Sequence, residues 1–314
     1  MDHQGHGLAL NHAIFRTPHA ATFEWVEQKR PKHYEGMVSP LWPEGVPETY
    51  RLALFEKDKP DGWNPTIVSH EGFFTDIPGF ENLAEGNSTK MLGSLALARQ
   101  GRYFYWGYSA DPERLTPGAR ATLLNTLHYM DGKRHSLTVP FVCKTRRILW
   151  VYTRLGREKG YKRGVEEHFP NSLVPECREG YVPSFEGAEA WVQKYLPYVF
   201  SGKTDKHKSA RYKCLFEVDA DALALGTPNN ERQSLERWIE LAEGKGGAGG
   251  KAGQDRDRAR RCLARYVHPD IRPKGNQWTK WYERQRDRIA FIESTGFWWQ
   301  ENPEVLEREA AGRR

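Results

Sequence analysis

Cysteine is scarce in this 314-residue chain: Cys143, Cys177, Cys214 and Cys262 stand 34, 37 and 48 residues apart, and no two form Cys-x-x-Cys. That spacing excludes a zinc knuckle and a dithiol redox motif. A chain of this length builds its own core, so a small disulfide scaffold is excluded too. Long apolar runs are also missing. The longest, Leu95–Ala98 and Ile148–Val151, fall far short of the roughly 18 residues that cross a bilayer. Neither a Gly-x-Ser-x-Gly elbow nor a Gly-x-x-x-x-Gly-Lys-Ser/Thr phosphate loop is completed, which removes the two commonest local signatures of acyl and phosphoryl transfer. No internal repeat is visible.

Aromatic residues are plentiful, at 12% with 11 Trp. They supply the large apolar groups that disordered chains lack. A soluble, globular protein of about two domains is expected. Charge is divided unevenly: residues 1–140 hold 14 basic and 16 acidic side chains, whereas 141–314 hold 33 and 25. The second half is therefore the one suited to an acidic partner. The opening Met1–Gly7 has neither the basic start nor the apolar stretch of a secretory leader, so the expected compartment is the cytoplasm, with no membrane contact.

Along the chain, prolines between 31 and 65 favour loops and edge strands. Leu95–Arg99 and Arg102–Trp106 are β-prone and separated by Gln100-Gly101, which predicts a hairpin. Thr116-Pro117 is a strong helix start, followed by Ala119, Leu123, Leu127 and Met130 at helical spacing and a stop at Asp131-Gly132. Beyond residue 141 the pattern turns helical. Ile148, Leu149, Tyr152 and Leu155 predict one helix. Asn230 with Gln233 reads as a capping box ahead of Leu235, Trp238, Ile239 and Ala242. Residues 244–253 read as a flexible Gly-rich linker. Further helices are predicted around Ala259–Val267 and Trp278–Ile292.

Candidate chemistry is thin. His3-x-x-His6 with Asp2 and His12 has the residue types of a metal site, yet the segment reads as a solvated terminus that fixes no geometry, so no metal and no cofactor are expected. His70-Glu71 are adjacent, and on a strand they face opposite ways. Cys143, beside Lys144, Arg146 and Arg147, has a cationic neighbourhood that lowers a thiol pKa, but packing is the plainer role. In Tyr103–Tyr108, alternation puts Phe104 and Trp106 on one face and Tyr103 and Tyr105 on the other; one face is core, and the other is suited to stacking on a sugar or base. Trp298-Trp299 reads as an interface patch. Lys203–Lys213 is the densest basic run and reads as a lysine-rich surface loop entering a strand at Tyr212–Val218.

Several segments together resemble a known group: Glu71–Pro78, Glu85–Lys90, Ser94–Gly101, Tyr105–Pro112, Leu115–Pro117 and Asn125–Met130. They are similar to uncharacterised bacterial proteins of the trehalose-utilisation (ThuA-like) branch of the class I glutamine amidotransferase-like superfamily. Asn11–Pro18 resembles that group's strand-entry segment, and the second half resembles the helical extension of some members. The resemblance implies an α/β (or α+β) fold: a partial amidotransferase-like sheet layer over 1–140, N-terminally truncated, then a mainly helical region over 141–314. Active amidotransferases carry a cysteine on an elbow and a His-x-Glu pair, and neither is present here. The resemblance therefore implies a non-catalytic role, with a small-molecule or carbohydrate-like ligand held by Asn87, Lys90, Trp106, Tyr108 and Arg114 near a helix N-terminus. A second reading is a hydrolase using His70, Glu71, His128 or Cys143. A third is nucleic-acid or acidic-partner binding by the basic half.

Overall fold

The computed structural model describes residues 4–36, 41–56, 76–86, 92–108, 111–134, 136–140, 142–143, 145–147, 149, 193–202, 215–245 and 251–312. Helices and antiparallel sheet both contribute, in two compact units: Met1–Val139 with Leu306–Arg314, and Pro140–Val305. Of the two expected layerings, α+β applies, because every described strand pairing in the sheets is antiparallel.

Unit 1 is built on six strands, β1 (Gln4–His6), β2 (Trp25–Lys29), β3 (Thr49–Leu54), β4 (Glu81–Gly86), β5 (Ser94–Gln100) and β6 (Tyr103–Trp106), in the order β2-β3-β1-β4-β5-β6. Gln4–His6 is thus no solvated terminus. It lies in mid-sheet, with Gly5 opposite Ala53 on one side and Gly86 on the other. Both sheet faces are covered. Ala53, Phe55, Leu83, Leu97 and Tyr108 pack with Ile14, Phe15 and Ala119; Tyr50, Leu52 and Leu92 pack separately with Tyr34 and Val46. Burial from both sides accounts for β5, buried along its whole length, as an uninterrupted apolar run rather than an alternating one.

The β5–β6 hairpin forms, one residue later than its glycine suggested. Gln100 pairs with Tyr103, so Gly101-Arg102 is the connection, and Gly101 takes φ +57°, a conformation open to glycine without steric cost. Helix α1 (Pro117–Asp131) starts and stops as its termini predict, the Thr116 hydroxyl accepting the Ala119 N–H at 3.3 Å. Its inner face differs from the expected leucine stripe: Thr122, Asn125 and Thr126 are buried, while Leu124 and Leu127 are 48% and 63% exposed. Asn125 supplies the reason. Its amide accepts the His19 N–H at 2.9 Å and donates to the Ile14 and His19 carbonyls at 3.0 and 2.6 Å, satisfying backbone that no strand or helix serves. The Asn11–Pro18 segment forms a 3-10 turn, Ala13–Phe15, with the His12 ring accepting the Ile14 N–H, rather than entering a strand.

Unit 2 holds two hairpins among its helices, so its second-half region is less purely helical than the pattern implied. Its elements are β7 (Val199–Gly202), β8 (Leu215–Val218), α2 (Ala220–Leu225), α3 (Arg232–Ala242), α4 (Ala252–Tyr266), α5 (Trp278–Gln285), β9 (Ile289–Ile292) and β10 (Trp298–Glu301). A last helix, α6 (Pro303–Gly312), supplies the residues from Leu306 onward that belong to unit 1. Trp238 of α3 stacks on Tyr266 of α4 at 5.4 Å in the buried core. Asp219 caps α2, accepting the Asp221 and Ala222 N–H groups, and also takes the Tyr266 hydroxyl at 2.7 Å and Arg265 at 2.5 Å. The expected capping box is replaced: Glu231 occupies the cap position of α3, and the buried Asn229 bonds the Val199 carbonyl and the Tyr266 hydroxyl. Ala252 and Gly253, assigned to the linker, lie in the first turn of α4. Trp299 is core rather than surface patch, at 3% exposure. The helix expected around Ile148–Leu155 and the Lys203–Lys213 run lie almost wholly outside the described residues.

Candidate functional site

One end of the unit 1 sheet gathers the segments singled out by sequence. Antiparallel pairing brings there the start of β1, the ends of β3, β4 and β6 and the start of β5. Glu56, just past β3, bridges to Leu115, and Thr116 locks α1 to the same edge through its N–H to the Phe55 carbonyl (2.9 Å) and its hydroxyl to the Leu54 carbonyl (2.8 Å). The N-terminus of α1 therefore sits at this end.

Tyr108 is 5% exposed, stacks on Phe55 at 4.0 Å and meets Trp106 edge-on at 5.7 Å. Its hydroxyl lies so close over Gly5 that an added Cβ there would collide with the oxygen; only glycine fits. Among the described residues that hydroxyl has no hydrogen-bond partner, and burial pushes its pKa well up, so it remains a neutral donor. Trp106 is half-buried, and Arg114 closes a 3-10 turn, Pro112–Arg114, leading to the Leu115 bridge. The structure thus brings Trp106 and Tyr108 together, with Arg114 on the loop that follows. Asn87 and Lys90 lie outside the described residues, directly after Gly86.

On the opposite face of β1, His6 is 1% exposed between the rings of Trp42 (4.9 Å) and Tyr50 (5.6 Å). Neither ring nitrogen has a hydrogen-bond partner among the described residues; the Glu85 carboxylate comes no nearer than 3.8 Å to Nδ1. Burial lowers its pKa to about 4. Sequence offered no sign of this, because three residues with a central glycine carry no strand signature.

The other end of the sheet carries a denser ionic group that sequence also missed. Arg99 grips Glu81 through two bonds (2.6 and 3.1 Å), Tyr129 donates to Glu81 at 3.0 Å, and Glu307 of α6 meets Lys133 at 2.7 Å and Arg99 at 3.4 Å. Burial, and then the Glu81 charge, push the Tyr129 pKa up. Burial lowers that of His12, 3.8 Å from Glu81 and edge-on to Tyr129, despite the carboxylate. Paired groups of this kind hold β4, β5, α1 and α6 together.

No family model, curated protein or solved structure matches the chain.

His70 and Glu71 lie outside the described residues, and His128 is exposed on α1. In unit 2, the Cys143 thiol donates to the Glu293 carbonyl at 3.0 Å, and burial pushes the Cys262 thiol up, away from the thiolate that attacks substrates. Among the described residues, no three His, Cys, Asp or Glu side chains group as a metal site, and no helix is long and apolar enough to cross a membrane.

Proposed function

We propose that the protein is a non-catalytic binding protein, as the ThuA-like resemblance implies, and that unit 1 takes a hydroxyl-rich, carbohydrate-like ligand at the sheet end formed around Trp106, Tyr108 and Arg114. The observation that carries this reading is the Tyr108 hydroxyl, buried and unpartnered among the described residues. A buried donor left unsatisfied costs on the order of 1–3 kcal/mol, and a ligand hydroxyl recovers it. The half-buried Trp106 ring offers the apolar face on which a sugar stacks.

A thermal-shift screen with unphosphorylated mono- and disaccharides tests the reading. A ligand at a hundredfold excess over its Kd adds about 2.7 kcal/mol, a rise of several degrees. Tyr108→Phe keeps the ring stacked on Phe55 and should abolish that rise without lowering the melting temperature of the free protein. Absence of any shift at saturating sugar would remove the proposal.

A further inference from the structure

Unit 2 contains a cleft of about 620 Å³ between the end of α3, α4 and the start of α5. Four cations, Lys245, Arg256, Arg260 and Lys280, line it with two carboxylates, Glu243 and Glu283. Glu243 is already engaged: it accepts the Thr279 N–H (2.8 Å), the Thr279 hydroxyl (2.5 Å) and Lys245 (3.1 Å). Burial raises the pKa of Glu243, but these bonds outweigh it and hold the carboxyl below its usual value. An internal anion thus sits where the N–H groups of α5 begin, the polarity expected at a helix start.

With Glu243 and Lys245 matched, the remaining charge is Arg256, Arg260 and Lys280 against Glu283. The pairing along α4 localises this surplus. Arg258 pairs with Asp255, Arg261 with Asp221 and Arg265 with Asp219, at 3.0, 2.7 and 2.5 Å, and Arg260 only reaches Asp257 at 3.9 Å. Arg256 has no carboxylate partner among the described residues. Its guanidinium instead rests against Gly244, where φ is +83° and an added Cβ would lie 2.6 Å from Nη2. A glycine whose positive φ strains any side chain therefore seats Arg256, which no carboxylate matches among the described residues.

We infer that this cleft binds a small phosphorylated molecule carrying at least two phosphates, at a site separate from the one proposed in unit 1. A planar guanidinium fork grips phosphate oxygens in pairs, and a nearby lysine adds a point charge. The volume suits a drug-sized or nucleotide-sized ligand. Nucleic acid is less well served, because it needs a basic stripe following many phosphates, and the neighbouring arginines of α4 are neutralised by aspartates.

Calorimetric titration of the full chain with inorganic pyrophosphate and tripolyphosphate, at constant ionic strength, tests the inference. One saturable site is expected, weakened at least tenfold by Arg256→Ala with Lys280→Ala and weakened also by Gly244→Ala. Arg308→Ala, which removes an exposed charge in unit 1, should leave affinity within twofold. Lack of saturable binding, or an equal loss in Arg308→Ala, overturns the site. A single-stranded 20-mer that binds more tightly than tripolyphosphate, and depends on the same two residues, overturns the small-ligand assignment in favour of nucleic acid.

Discussion

Acidification should loosen unit 1 most through the ring of His6. Folded, its pKa is about 4 against an ordinary 6.5, because burial between Trp42 and Tyr50 strips the imidazolium of water. Between those two values the unfolded chain binds a proton that the folded chain refuses, so stability falls as pH drops through that window. At 1.36 kcal/mol per pKa unit, the loss is about 2.5 kcal/mol by pH 4.5 and approaches about 3.4 kcal/mol well below pH 4. His6→Phe fills the same aromatic surroundings and removes two buried nitrogens that have no hydrogen-bond partner among the described residues, so at pH 7.5 it should match or exceed the parent. Urea unfolding of the two proteins at pH 7.5, 6.0 and 4.5 isolates the effect, since the groups away from His6 titrate alike in both. The stability difference between them should shift toward the variant by about 2.5 kcal/mol between pH 7.5 and 4.5. Parallel pH curves would refute the reasoning, and would mean that the Glu85 carboxylate, 3.8 Å away, offsets burial and leaves the folded ring its ordinary pKa.

Gly5→Ala should cost about 1–3 kcal/mol by overpacking against the Tyr108 oxygen, and Tyr108→Phe in the same chain should restore much of it; additive losses in a double-mutant cycle would contradict the contact. Arg99→Met, which leaves the part-buried Glu81 with the Tyr129 hydroxyl alone, should destabilise by about 1–3 kcal/mol, while Arg99→Met with Glu81→Gln should cost less; chemical denaturation reads both. Thr116→Ala removes the α1 cap and the bond to Leu54, for an expected loss of about 1–2 kcal/mol. A melting temperature equal to the parent's would show that water takes over both roles.

The parts of this fold legible in sequence are those where local chemistry decides. Thr116, Pro117 and Gly132 bound α1 because a hydroxyl, a missing N–H and a flexible terminus act within one turn of the chain. Gly101 marked the hairpin for the same reason, although the register of the cross-strand pairs moved the turn by one residue. What escaped was set by distant partners. Gln4–His6 becomes a strand only because β3 and β4 supply both neighbours, and Asn125 faces inward only because irregular backbone at Ile14 and His19 needs its amide. The Asn230–Gln233 spacing met the local rule for a cap, yet Asn229 is the residue drawn inward, by the Val199 carbonyl and the Tyr266 hydroxyl. At the candidate site, Trp106, Tyr108 and Arg114 were visible as an aromatic strand end and its loop. The buried ring of His6 was not, because burial between residues as distant as Trp42 and Tyr50 leaves no trace in residue order.

Glu307 anchors to Arg99 and Lys133 from the far end of the chain, with residues 140–305 of unit 2 lying between the two segments of unit 1. During synthesis, the first 139 residues must wait for that whole interval to leave the ribosome before their last counter-ion arrives. Premature termination anywhere inside the intervening stretch would therefore deprive Lys133 of the Glu307 carboxylate and leave Arg99 with Glu81 alone.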